Sequence, residues 1–171
     1  MVELSQLIVL IVFPALMIFA GSYDIMTMTI PNRLSLALIA AFAVTAALLG
    51  IGWSEAATHV GAGLLVLVIG LGLFAAGWVG GGDVKLAAAT SLWLGFGTLL
   101  EYFFVASLAG GALTIFILAL RRYPLPSVAQ GWTWLDRLHN PANGVPYGVA
   151  LAFGGLVVFP SSAMWLAAFA G

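Results

Sequence analysis

Positions 86–120 read LAAATSLWLGFGTLLEYFFVASLAGGALTIFILAL, an apolar run interrupted by one charged residue, Glu101. At 1.5 Å of rise per residue a single helix of this length would measure about 52 Å, whereas a bilayer core of about 30 Å needs roughly 20 helical residues. The run is therefore too long for one crossing. Gly95-Phe96-Gly97 is the natural break, which predicts a short helix over 86–94 and a longer one over about 99–120.

The composition of the whole chain also indicates a membrane protein. Hydrophobic residues make up 63% of the sequence and charged residues 6%, too few to cover a water-soluble surface. The first apolar stretch lacks both a preceding basic residue and a small-residue cleavage pattern, so we expect a retained helix. We predict an all-α membrane domain over 1–171 with six transmembrane helices; the other four stretches are 4–21, 34–52, 60–79 and 146–169.

Charge distribution supports six crossings. With six helices, all the basic residues fall on one face, and the opposite face holds only Glu3, Glu55 and Glu101 as charged side chains. The positive-inside rule makes the basic face cytoplasmic and places both termini on the non-cytoplasmic side. Treating 86–120 as one span would destroy this asymmetry. The basic residues are Arg33, Lys85, Arg121, Arg122 and Arg137.

Two aspartates stand at the ends of apolar runs on this cytoplasmic face. Asp24 begins the sequence DIMTMTIPN, and Asp83 closes the glycine run 80–82. Two nearby carboxyls can share one proton, so that one activates water while the other protonates the substrate, as in aspartic proteases. Glycines would let an extended substrate backbone approach, and Pro31 would fix the turn into the second helix. The pattern favours peptide hydrolysis by an Asp24/Asp83 pair.

Other interpretations of the same residues remain open. Asp83 could serve only as the N-cap of the fourth helix, and Asp24 could cap an interfacial turn. The glycines at 80–82 could form a plain connector. The pair could instead relay protons in a small transporter or channel, since ionisable groups at membrane depth are commonly functional. A non-catalytic membrane scaffold is the third possibility.

Several motifs taken together resemble a known family. The GGGD sequence at 80–83 with the following Lys85-Leu86, Asp24 followed by Ile30-Pro31-Asn32, and the PYGVA sequence at 146–150 are similar to motifs of the type IV prepilin and preflagellin peptidases. These are membrane aspartic proteases marked by a G-x-G-D sequence. The compact chain looks most like the short peptidases of tight-adherence (Flp) pilus systems.

The resemblance implies an endopeptidase of the inner membrane that cleaves the leader of pilin-like precursors at the cytoplasmic face. Asp24 and Asp83 would be catalytic, with water as the nucleophile and no metal or cofactor. Gly80, Gly82 and the Pro31-Asn32 pair would support the site. The expected partners are pilin-like precursors and the lipid bilayer, with no nucleic acid.

The segment between the last two predicted spans, 122–145, is too polar to cross a bilayer. Val128, Trp132, Leu135 and Leu138 recur in it at helical spacing, which predicts an interfacial helix in a cytoplasmic loop. Longer relatives carry a zinc-binding insertion with paired C-x-x-C motifs and an N-methyltransferase activity. This chain contains no cysteine, so we expect neither the insertion nor methylation.

Overall fold

The computed structural model describes residues 4–126 and 131–169, and regular structure in these residues is entirely helical. Short 3-10 turns at Phe96–Thr98 and Phe159–Ser161 connect two pairs of α-helices. The all-α class predicted from the sequence is confirmed. The α-helices are α1 Leu4–Thr27, α2 Asn32–Leu48, α3 Trp53–Ala75, α4 Gly81–Leu94, α5 Leu99–Leu120, α6 Thr133–His139, α7 Tyr147–Val158 and α8 Ala163–Phe169.

Three stretches in the described ranges are long and apolar enough to cross a membrane: Val9–Thr27, Trp53–Ala75 and Phe96–Leu120. The pair α7 and α8 makes a fourth if the two helices form one span, but they meet at an angle of 44°. We expected 146–169 to run as one helix. The chain breaks instead at the 3-10 turn that contains Pro160, because proline has no amide hydrogen and disfavours helix at the residue before it.

Helix α4 forms the centre of the bundle, and every residue from Leu86 to Leu94 is buried. The indole of Trp93 donates a hydrogen bond of 2.9 Å to the carbonyl of Leu38 and so attaches α4 to α2. The predicted break after α4 is confirmed. Gly95 ends the helix with φ 70°, a left-handed conformation that glycine adopts without the steric cost of a Cβ.

Helix α7 packs closely between α1 and α5 through two adjacent glycines. A Cβ on Gly155 would lie 2.9 Å from the methyl of Met17 on α1, and one on Gly154 would lie 3.0 Å from the backbone nitrogen of Ala106 on α5. In a membrane the hydrophobic effect does not drive helices together, and small residues favour their association because they allow close packing. The tight packing fixes the beginning of α7 against the end of α1, where the candidate site lies.

Candidate active site

Asp24 lies inside α1. The apolar run predicted that the first helix ends near Gly21, but α1 continues to Thr27. Asp24 therefore lies inside the helix, and only 4% of its surface is exposed. Its Oδ2 accepts a hydrogen bond of 2.7 Å from the backbone N–H of Gly148. Gly148 is the second residue of α7, so the carboxylate of Asp24 satisfies a free N–H at the positive end of that helix.

Gly148 is the residue that makes this contact possible. A Cβ at this position would lie 2.7 Å from Oδ2 of Asp24 and 2.8 Å from Cδ1 of Ile30, closer than real Cβ atoms come to their neighbours. A side chain on residue 148 would therefore push the carboxyl away from the backbone that holds it. The sequence alone did not indicate this role, because residues 24 and 148 meet only through the packing of α1 on α7.

Asp83 occupies the third position of α4 and is not its N-cap. The N-cap is Gly80, and its backbone N–H donates a hydrogen bond back to the carboxyl of Asp83, as an acidic side chain does in one half of a capping box. Burial, together with the negative charge of Asp24, raises the pKa of Asp83 to about 6, while the Gly80 N–H opposes the shift.

Both carboxyls lie on a cavity of about 400 Å³. The glycines of the G-x-G-D sequence shape one wall: a Cβ on Gly80 would lie 2.7 Å from Oδ2 of Asp83, and one on Gly82 would lie 3.2 Å from Cβ of Ile30. The remaining wall comes from the turn after α1 and from residues 144–147, which lead into α7 and include its first residue. The lining residues are Asp24, Met28, Thr29, Ile30, Gly80, Gly81, Gly82, Asp83, Gly144, Val145, Pro146 and Tyr147.

The turn after α1 contains a residue with an uncommon backbone conformation. Met28 adopts a left-handed backbone conformation with φ 58°, which is uncommon for a residue with a Cβ. Its N–H bonds to the carbonyl of Asp24 at 2.7 Å and closes the last turn of α1. The chain then reverses toward α2, which keeps Thr29 and Ile30 in the cavity wall.

Pro31 and Asn32 lie just beyond the cavity wall. Pro31 is the N-cap of α2, with φ −71°, and its carbonyl accepts the N–H of Leu34 at 3.0 Å. The side-chain oxygen of Asn32 accepts a hydrogen bond of 2.8 Å from Nζ of Lys85. Pro31 thus shapes the start of α2, Asn32 joins α2 to α4, and neither is among the described residues that line the cavity.

Arg121 holds the segment that leads into α7. Its Nε donates to the carbonyl of Leu138 at 2.9 Å, and its Nη2 donates to the carbonyls of Asn143 at 3.0 Å and Gly144 at 2.9 Å. Gly144 is the first residue of this segment in the cavity wall. Sequence reasoning used Arg121 only to orient the chain in the membrane, because its three acceptors are backbone carbonyls that leave no pattern in the sequence.

A short helix also forms within the polar segment. α6 covers Thr133–His139, with Leu138 buried and Trp132 exposed just before it. Val128, which belongs to the same predicted pattern, lies outside the described residues. Whether the segment lies on a membrane surface stays a prediction.

Residues 11–115, more than half of the chain, match the sequence pattern of the type IV leader peptidase family. The matched part contains both aspartates and the glycines at 80–82, and it ends within α5. The contact from Gly148 to Asp24 therefore comes from outside it. No curated protein and no solved structure matches the chain.

Proposed function

This chain belongs to the type IV leader peptidase family, and we propose that it is a membrane aspartic endopeptidase that removes the leader of pilin-like precursors. One observation carries the proposal beyond the family: Asp24 of α1 and Asp83 of α4 line one cavity. A carboxyl pair that shares one proton can hydrolyse a peptide bond.

The pair would act as one unit in the reaction. The ionised carboxylate takes a proton from water, whose oxygen attacks the carbonyl carbon of the scissile peptide. The protonated carboxyl gives its proton to the carbonyl oxygen, and a tetrahedral diol forms. When the diol collapses, the carbon–nitrogen bond breaks, the leaving nitrogen receives a proton, and the dyad again holds one proton.

The surroundings suit Asp24 as the ionised member and Asp83 as the protonated one. Each carboxyl receives a backbone N–H at a helix N-terminus, Asp24 from Gly148 and Asp83 from Gly80, so these hydrogen bonds do not distinguish the two. Burial and the negative charge of Asp24 raise the pKa of Asp83 to about 6, so Asp83 is assigned the shared proton. Because the two titrate together, the assignment describes the favoured arrangement of one shared proton.

The cavity also suits an extended peptide. Three consecutive glycines, 80–82, present backbone to it without side chains. A substrate strand can approach such a wall closely and place its carbonyl between the carboxyls. Water supplies the nucleophile, and the proposed reaction uses no metal or cofactor.

We further propose six crossings of the inner membrane, with both termini on the non-cytoplasmic side and the cavity at the cytoplasmic face. The end of α1 and the beginnings of α4 and α7 all meet at the cavity, which supports a common depth in the membrane for these three helix ends. With 14 residues, α4 spans about 21 Å and would be a short crossing enclosed by its neighbours. The basic residues then follow the positive-inside rule.

The test is co-expression of the chain with pilin-like precursors, followed by gel shift and N-terminal sequencing of the product. Wild type should release a leader, and Asp24→Asn and Asp83→Asn should release none while accumulating to wild-type levels. Asp136→Asn is the matched control, since Asp136 is an exposed carboxyl of α6 outside the cavity wall. Cleavage by either dyad variant would contradict the proposal and favour a transporter or scaffold.

A further inference from the structure

One wall of the dyad cavity is held in place by a helix that does not itself line the cavity. The wall consists of residues 144–147, which we call the wall segment; they lead into α7 and include its first residue, Tyr147. No residue of α5 is among the described residues that line the cavity. The end of α5 and its inner face nevertheless contact the wall segment at both of its ends.

Arg121, which directly follows α5, holds the first end. Its Nη2 donates hydrogen bonds to the carbonyls of Asn143 and Gly144, and its Nε donates one to the carbonyl of Leu138. Leu138 is a buried residue of α6, so one guanidinium ties the wall segment to a helix that is itself packed. Hydrogen bonds from an ionised donor are stronger than neutral ones, and the planar guanidinium offers its donors in a fixed geometry.

Tyr147 is held at the other end. A Cβ on Gly110 would lie 2.8 Å from Cε1 of Tyr147, so the ring rests on the backbone of α5 at that glycine. The hydroxyl oxygens of Thr114 and Tyr147 are 3.3 Å apart. The Thr114 hydroxyl donates its one hydrogen to the carbonyl of Gly110 at 2.7 Å, which makes Tyr147 the donor in the longer contact.

The three anchoring residues share one face of α5. At about 100° of rotation per residue, Gly110, Thr114 and Arg121 point within about 40° of one another. The next residue after the wall segment is Gly148, whose N–H donates to Oδ2 of Asp24. The backbone that holds the carboxylate is therefore the continuation of a segment that α5 fixes at two points.

We propose that Arg121 is a positioning residue for the reaction. Its hydrogen bonds to backbone carbonyls fix the wall segment beside the dyad, and the cavity has its active shape only while these bonds are made. The inference rests on the proposed function, because it concerns the same cavity. Arg122 gives a natural comparison, since it carries the same charge and is exposed, and its guanidinium makes no hydrogen bond with the residues that the structure describes.

Lysine substitutions separate positioning from charge. Arg121→Lys and Arg122→Lys both keep the positive charge that orients the chain in the membrane, but an ammonium group does not reproduce the fixed geometry of a guanidinium. We expect Arg121→Lys to lower kcat/KM for a pilin-like precursor by about tenfold or more and Arg122→Lys to stay within about twofold of wild type. Arg121→Ala should lose at least as much activity, and millimolar ethylguanidinium should restore part of it without affecting Arg122→Ala.

A thiol reporter follows the wall segment without any cleavage. The chain contains no cysteine, so Val145→Cys places a unique thiol in the wall segment, and Ala46→Cys places one at a buried position of α2. Each reporter is combined with Arg121→Lys and with Arg122→Lys, and its rate of reaction with a water-soluble maleimide is measured. Arg121→Lys should speed labelling at residue 145 and leave labelling at residue 46 unchanged, whereas Arg122→Lys should alter neither rate.

The contrary outcomes are distinguishable from one another. If wild type cleaves the precursor and Arg121→Lys cleaves it equally well, Arg121 has no positioning role and the proposed function stands. Equal losses in Arg121→Lys and Arg122→Lys, or faster labelling at residues 145 and 46 alike, would overturn the proposal in favour of a general effect of charge or stability. If wild type cleaves no precursor, the proposed function fails and the role in cleavage fails with it, while unchanged labelling at residue 145 refutes the role of Arg121 whether or not the protein cleaves.

Discussion

Substitution of Gly148 by alanine should disable the site through one methyl group. The Cβ would lie 2.7 Å from Oδ2 of Asp24, about 0.7 Å inside an ordinary contact of 3.4 Å. The carboxyl must therefore move, or α7 must shift away from α1. A displacement approaching 1 Å in a catalytic group costs about 100-fold in rate, and we expect kcat/KM to fall by about that factor.

The assay is the initial rate of precursor cleavage by purified protein, with accumulation and unfolding temperature measured alongside. Gly111→Ala is the control, because a Cβ at that α5 position meets none of the described residues within 4 Å and activity should stay within about twofold of wild type. A Gly148→Ala protein that is folded and cleaves within threefold of wild type would refute the argument that Gly148 positions Asp24.

Three further predictions concern the charge and the packing around the dyad. Because Asp83 has its pKa raised to about 6 and must hold the shared proton, kcat/KM should fall tenfold per pH unit as pH rises above about 6, as measured by initial rates from pH 4.5 to 8.5; a flat profile would contradict it. Gly80→Ala, whose Cβ would lie 2.7 Å from Oδ2 of Asp83, should lower kcat/KM at least tenfold without loss of protein, and unchanged kinetics would show that the carboxyl is free to move. Gly70→Ala, whose Cβ would lie 2.6 Å from Val84, should destabilise the packing of α3 against α4 by about 1–3 kcal/mol in a denaturation assay. Gly72→Ala, whose Cβ would meet none of the described residues within 4 Å, should not, and equal stability of the two variants would refute this packing.

The class of fold followed from composition and length alone. An apolar run of 35 residues exceeds the length of one crossing, and Gly95 ends α4 with φ 70°, a conformation that glycine adopts without the steric cost of a Cβ. These features are local or depend on the bilayer thickness, so the sequence contains them. The bend between α7 and α8 could also have been predicted from the sequence, because Pro160 lies in the turn between the two helices.

The surroundings of the two carboxyls could not be predicted from the sequence in the same way. The pattern identified both carboxyls, but it ended the first helix before Asp24 because it followed hydropathy. Asp24 lies inside α1, where its carboxylate accepts a hydrogen bond from the backbone N–H of Gly148, a partner 124 residues away in the chain. Arg121 is a parallel case, since its acceptors are backbone carbonyls that any residue could provide.

The coupling of the two carboxyls is the central claim, and a double-mutant comparison tests it most directly. Purified wild type, Asp24→Asn, Asp83→Asn and the double variant would be compared for cleavage of one precursor at one pH. If the pair shares a proton and acts as a unit, each single substitution should cost about 10³-fold or more and the double variant should be no worse than either. Substantial activity in one single variant, or losses that multiply in the double variant, would contradict the account.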